Sequence, residues 1–103
     1  MRLLFVGSHG KNRSRTAAEL LSDKHPTRYA GVFANLTEDD VEWAEVILVM
    51  EEFQKRHIAS KFPAKEMIIV SLDIPDYYVY NSPDLIFSFK KRFEEIELTL
   101  LSS

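Results

Sequence analysis

A chain of 103 residues can build one hydrophobic core but not two, so a single domain over residues 1–103 is expected. With 46% hydrophobic and 28% charged residues the balance is globular, neither disordered nor fibrous. A net charge of −3 and a pI near 5.6 give no general attraction to nucleic acid or to an anionic membrane surface, so any anion site must be local. No apolar run approaches a membrane span, and the N-terminal one is too short for a signal peptide, so a cytoplasmic protein is expected. The absence of cysteine excludes disulfides, thiolate metal sites and thiol catalysis.

In chain order, Arg2 to Val6 reads as a buried parallel strand, with Leu3, Leu4, Phe5 and Val6 in a continuous apolar run that Gly7 ends. Ala17, Leu20 and Leu21 then recur at helical spacing, with Ser14 as the expected cap. Between them lie Ser8, His9, Gly10, Lys11, Asn12 and Arg13. A loop from the carboxyl end of a strand to the amino end of a helix turns backbone amides inward, and the helix dipole adds positive potential. Gly10 allows the tight or left-handed turn such a cradle needs, and Arg13 offers a planar fork for two phosphate oxygens. The plainer reading is a solvated loop with some basic residues.

A second strand is expected over Arg28 to Ala34. Thr37 and Asp40 suggest a capping box, and the acidic run Glu38, Asp39, Asp40 is explained by the helix dipole without a metal. Ala44 to Met50 is a strongly apolar third strand, and Glu51 to Lys61 an amphipathic helix in which His57 reads as a half-buried residue rather than a ligand. Met67 to Leu72 is a fourth strand. The following DIPDYYVYNSPD, dense in proline, tyrosine and aspartate, has the composition of a functional loop. Ser82 and Pro83 open a final helix to about Leu101, with Leu85, Ile86, Phe89, Phe93, Ile96 and Leu100 as its apolar stripe.

This alternation predicts an α/β fold: a doubly wound, four-stranded parallel sheet with helices on both faces. Ligands of such sheets bind outside the carboxyl ends of the strands, where the loops over residues 7–14 and 73–81 both belong. An anion cradle beside an aspartate-rich loop is a layout for phosphoester hydrolysis, in which an aspartate protonates the leaving oxygen.

The stretch LLFVGSHGKNRSRTAAEL resembles the phosphate-binding loop of the low-molecular-weight protein tyrosine phosphatases, where a strand ending in Val-Cys is followed by five residues and then Arg and Ser. Arg13 and Ser14 fall at those last two positions. WAEVILVMEE is similar to the family's third strand, and SLDIPDYY resembles the end of its fourth strand with its acid-bearing loop, so the resemblance runs through the whole chain, at the length of a compact branch. It implies a flavodoxin-like, phosphotyrosine protein phosphatase I-like fold and a phosphate or phosphorylated ligand held by Ser8 to Ser14. It implies no cofactor and no metal.

Three positions depart from the family. Gly7 stands where the family has its nucleophilic cysteine, Gly10 where an asparagine commonly shapes the loop, and Arg15 where proline is common. Family enzymes attack phosphorus with a thiolate to form a phosphocysteine that water hydrolyses, and glycine supplies no nucleophile. Ser8 or His9 could replace it only in a reorganised loop. Counting from the strand favours Asp73 as the general acid, and counting back from the last helix favours Asp76; both stay open. Tyr77, Tyr78 and Tyr80 are candidates for an aromatic wall against a phosphotyrosine ring, or else pack the loop onto the sheet edge. Three readings follow: a phosphatase-like protein that binds phosphoanions without its nucleophile, natural or engineered; an active phosphomonoester hydrolase with another nucleophile; and an interaction domain with no specific ligand. The residues carry no sign of oligomeric state.

Overall fold

In a computed structural model that describes residues 1–98, strands and helices alternate along the chain: β1 (Leu3–Gly7), α1 (Arg13–Leu21), β2 (Thr27–Gly31), α2 (Glu38–Trp43), β3 (Val46–Val49), α3 (Glu52–Lys61), β4 (Ile69–Ser71) and α4 (Pro83–Ile96). The strands form one parallel sheet in the order β2-β1-β3-β4, with Leu3 opposite Thr27 on one side and Val46 on the other. The chain winds one way from β1 to β2 and the other way through β3 to β4. The switch point therefore lies at the carboxyl ends of β1 and β3, where the loop after β1 emerges.

Alternation along β1 and β3 divides the core between the two faces of the sheet. Leu3, Phe5, Val46 and Leu48 pack with Ala17 and Ala18 of α1 and with Leu85, Phe89, Phe93 and Ile96 of α4. Leu4, Val6, Ile47 and Val49 pack with Val41 of α2 and Ile58 of α3. Both faces are covered, which is why these two strands are apolar at every position. Phe5 and Phe89 meet edge to face, with ring centroids 5.7 Å apart.

The outer strands are shorter than their apolar runs suggest. β2 stops at Gly31 because Val32 to Leu36 fold into a turn, with the Asn35 Oδ1 accepting from the Gly31 amide (3.0 Å) and the Gly31 carbonyl accepting from the Leu36 amide (3.1 Å). β4 begins at Ile69, and Ile69 and Val70 are only half-buried at the sheet edge. Ser14 does not cap α1. The first helical bond runs from the Thr16 amide to the Asn12 carbonyl (3.0 Å), so the helix starts at Arg13, with Asn12 at its N-cap and Ser14 buried in the first turn. The Thr37–Asp40 capping box forms in both directions, and Ser82 caps α4 ahead of Pro83. Leu100 and Leu101 lie outside the described residues. Among the described residues, no helix is long and apolar enough to cross a membrane, and no cluster of three His, Asp or Glu is placed to hold a metal ion.

One close approach sets the loop after β1 on the sheet. A Cβ at Gly31 would lie 2.3 Å from the carbonyl carbon of His9 and 2.6 Å from the Gly10 nitrogen, so the end of β2 lies directly against the loop backbone. The Gly7 and Ser8 carbonyls accept from the Val32 and Phe33 amides, both at 2.9 Å. Gly31→Ala must displace the loop, and urea unfolding should show a loss of about 3 kcal/mol.

Candidate functional site

A cavity of about 330 Å³ opens at the switch point, lined by Gly7 to Ser14 and by Asp76. Its shape follows from local backbone requirements. Gly10 adopts φ 71°, and a Cβ there would lie 2.9 Å from the backbone of Ala30 and Gly31, so both conformation and space demand glycine. Among the described residues, the backbone amides of Ser8 to Arg13 donate no hydrogen bond to the protein, and they sit at the loop-to-helix junction where α1 adds its dipole.

Arg13 lies beneath the loop and is only 4% exposed. Its Nη1 donates to the Glu51 carboxylate and to the Ile74 carbonyl (2.7 Å), and its Nη2 lies 3.6 Å from Asp76 Oδ1. A buried guanidinium is tolerable only with such partners, and these come from the segments just beyond β3 and β4, while α1 carries the arginine itself. Glu51 was not singled out in the sequence. Its only signal there is its place two residues beyond β3, on the same edge of the sheet as the loop.

Gly7 is the last residue of β1, and its φ lies outside the left-handed region. A Cβ added to it would be 3.4 Å from Ser14 Oγ, 3.7 Å from Ser14 Cβ and 3.8 Å from Met50 Cγ, distances of ordinary contact. The backbone therefore accepts a side chain at this position. The buried Ser14 hydroxyl beside it has no hydrogen-bond partner among the described residues.

The two candidate acids occupy different surroundings. Asp76 lines the cavity, whereas Asp73, at φ 54°, accepts from Ser71 Oγ (2.8 Å) and faces Arg92 Nη2 (3.3 Å). The tyrosines do not border the cavity. Tyr77 is 72% exposed and packs on Tyr78 at 4.5 Å between centroids, and the Tyr78 hydroxyl pairs with Ser88 of α4 (2.8 Å). Tyr80 donates to the Glu19 carboxylate of α1 and lies under the Arg15 guanidinium at 4.5 Å. Together with the bond from the Asn81 amide to Thr16 Oγ1 (2.8 Å), these contacts tie the aspartate loop to α1, and they occupy Arg15. On the opposite side His9 lies beside Phe33, whose ring also meets Phe53 and the half-buried His57.

No family model matches the chain, and no curated protein matches its sequence. Solved structures do match. An arginine phosphatase, YwlE from Geobacillus stearothermophilus, superposes with a TM-score of 0.66 at 20% identity over 96% of each chain. A low-molecular-weight protein tyrosine phosphatase from T. tengcongensis gives 0.65 at 23% identity over 91% of each chain. A third, the solution structure of such a phosphatase from Bacillus subtilis, gives 0.64 at 23% identity over 95% of this chain and 91% of that one. The fold is that of the low-molecular-weight protein tyrosine phosphatases. Within this phosphatase fold the chain carries no cysteine at any position.

The tie between Tyr80 and Glu19 has a titration signature. The hydrogen bond from Tyr80, reinforced by the hydrogen bond and charge of Arg15, holds the Glu19 carboxyl below the usual glutamate value. A carboxyl depressed in the folded state stabilises the fold above its unfolded pKa and loses that contribution as pH falls through the folded pKa. Tyr80→Phe should therefore raise the Glu19 pKa, seen in an NMR titration, and flatten the fall in stability on acidification. An unmoved Glu19 would mean that Tyr80 does not hold the loop to α1.

Proposed function

We propose that this protein binds phosphate, or a phosphorylated side chain, in the loop over residues 7–14, and that Gly7 leaves it without the covalent chemistry of the phosphatases whose fold it shares. The observation that carries this reading is a buried, anchored Arg13 beneath a loop of unpaired amides, at the switch point of the sheet. Amides and guanidinium together supply several donors converging on one oxyanion, the requirement for binding a doubly charged phosphoryl group.

In this reading Ser8 to Ser14 wrap the phosphoryl oxygens and Arg13 provides the charge. Asp76 takes the general-acid position, because Asp73 is engaged by Ser71 and Arg92. A thiolate at position 7 would attack phosphorus and release the leaving oxygen with a proton from Asp76. Glycine cannot form that bond. The arginine and tyrosine phosphatases among the structural neighbours act on different phosphorylated residues, so the phosphoryl group is the common element of the ligand assigned here.

The test is to measure hydrolysis of a small aryl phosphate and binding of inorganic phosphate for the native chain, Gly7→Cys and Arg13→Met, at mildly acidic and neutral pH. The native chain should bind phosphate without turnover, Gly7→Cys should turn over, and Arg13→Met should bind about ten- to a hundredfold more weakly, the equivalent of losing ~1.5–3 kcal/mol of charge-assisted hydrogen bonding. Turnover by the native chain would require another nucleophile and would overturn the binding-only reading. Absence of phosphate binding, with Gly7→Cys inactive, would leave an interaction domain without this ligand.

A further inference from the structure

Gln54 is fully buried, a polar side chain at 0% exposure in a helix that otherwise faces largely to solvent. Its Oε1 accepts from the Met50 amide (2.8 Å) and from the Glu51 amide (2.9 Å). Backbone amides can only donate, so the oxygen must face them and the Nε2 must face the other way. There Nε2 donates to Ser8 Oγ at 3.2 Å, across 46 positions of sequence. Capping α3 requires only the bond from Glu51. The donor aimed at Ser8 is additional, and its acceptor lines the anion cavity.

We propose that Gln54 is a positioning residue for the anion loop: by donating to Ser8 Oγ it leaves the Ser8 hydroxyl proton to be given to an oxyanion in the cavity. This inference rests on the phosphate-binding reading above. A hydroxyl that accepts one hydrogen bond becomes a better donor for the next, so the bond from Gln54 both orients and strengthens the one Ser8 makes. The same amide holds the backbone of Glu51, whose carboxylate anchors Arg13. One buried side chain thus sets a neutral donor and, through Glu51, the cationic donor.

Acting through Ser8 predicts coupling, which a packing role alone would not produce. Inorganic phosphate affinity is measured by titration for the native chain, Ser8→Ala, Gln54→Met and the double variant, with thermal unfolding checked for each. Each single variant should lose about tenfold in affinity, the worth of one hydrogen bond, and the double variant should be no weaker than Gln54→Met alone. Gln54→Glu covers the case in which Gln54→Met does not fold. Its carboxylate would draw the Ser8 proton toward itself, weakening phosphate binding at neutral pH. Protonation, favoured by burial, would restore a donor, so affinity relative to the native chain at the same pH should recover on acidification. Independent losses of about tenfold each in the double variant, or a Gln54→Glu effect that ignores pH, would overturn the proposal. So would native affinity in both Ser8→Ala and Gln54→Met while Arg13→Met is impaired, and the phosphate reading would then stand. A native chain that fails to bind phosphate overturns both.

Discussion

Three chain segments meet at a single buried cation. The Arg13 guanidinium, at the start of α1, is held by the Glu51 carboxylate beyond β3 and by the Ile74 carbonyl beyond β4, with Asp76 nearby. Removing such a charge from water costs several kcal/mol, and only a well-placed partner set offsets that cost. The requirement runs in both directions. Without Arg13, Glu51 and the Ile74 carbonyl would lose their partner at the mouth of the sheet, so the geometry of three loops depends on one side chain.

That dependence separates two reasons for keeping an arginine here. A ligand anion would make use of it, but the fold also needs it, since the cation closes contacts among segments 38 and 61 residues apart in sequence. A chain that lacks the nucleophile is therefore still under physical pressure to retain Arg13. Gly7 carries no such constraint. It ends β1 with ordinary space around a notional Cβ, so a side chain placed there would have little effect on packing.

The layers of the sheet were legible because burial on both faces writes itself as an uninterrupted apolar run, as in Leu3 to Val6 and Val46 to Val49. Helix starts that depend on neighbours in sequence, Thr37 with Asp40 and Ser82 with Pro83, were legible for the same local reason. The Ser14 cap was not, because the backbone of Asn12 closes the first turn, and the N-cap falls two residues sooner than the apolar spacing suggests. Edge strands ran short where a turn held by Asn35 ends β2. Counting left Asp73 and Asp76 open, since what distinguishes their surroundings is the left-handed backbone at Asp73 and its contact with Arg92, 19 positions away. Glu51 and Gly31 matter through contacts made only once the sheet is assembled, and nothing in their immediate sequence marks them.

If the loop binds phosphate as proposed, its bracing by Gly31 also bears on how quickly a ligand is captured. The His9–Gly10 backbone lies against the end of β2, and the Gly7 and Ser8 carbonyls tie the loop to the turn that follows it, so the sheet itself holds the loop in shape. Little ordering entropy remains to be spent at the moment of encounter. On the phosphate-binding proposal, capture would then be governed by diffusion rather than by rearrangement of the loop. On the same proposal, different phosphorylated ligands would arrive at similar rates and be distinguished by how long each one stays.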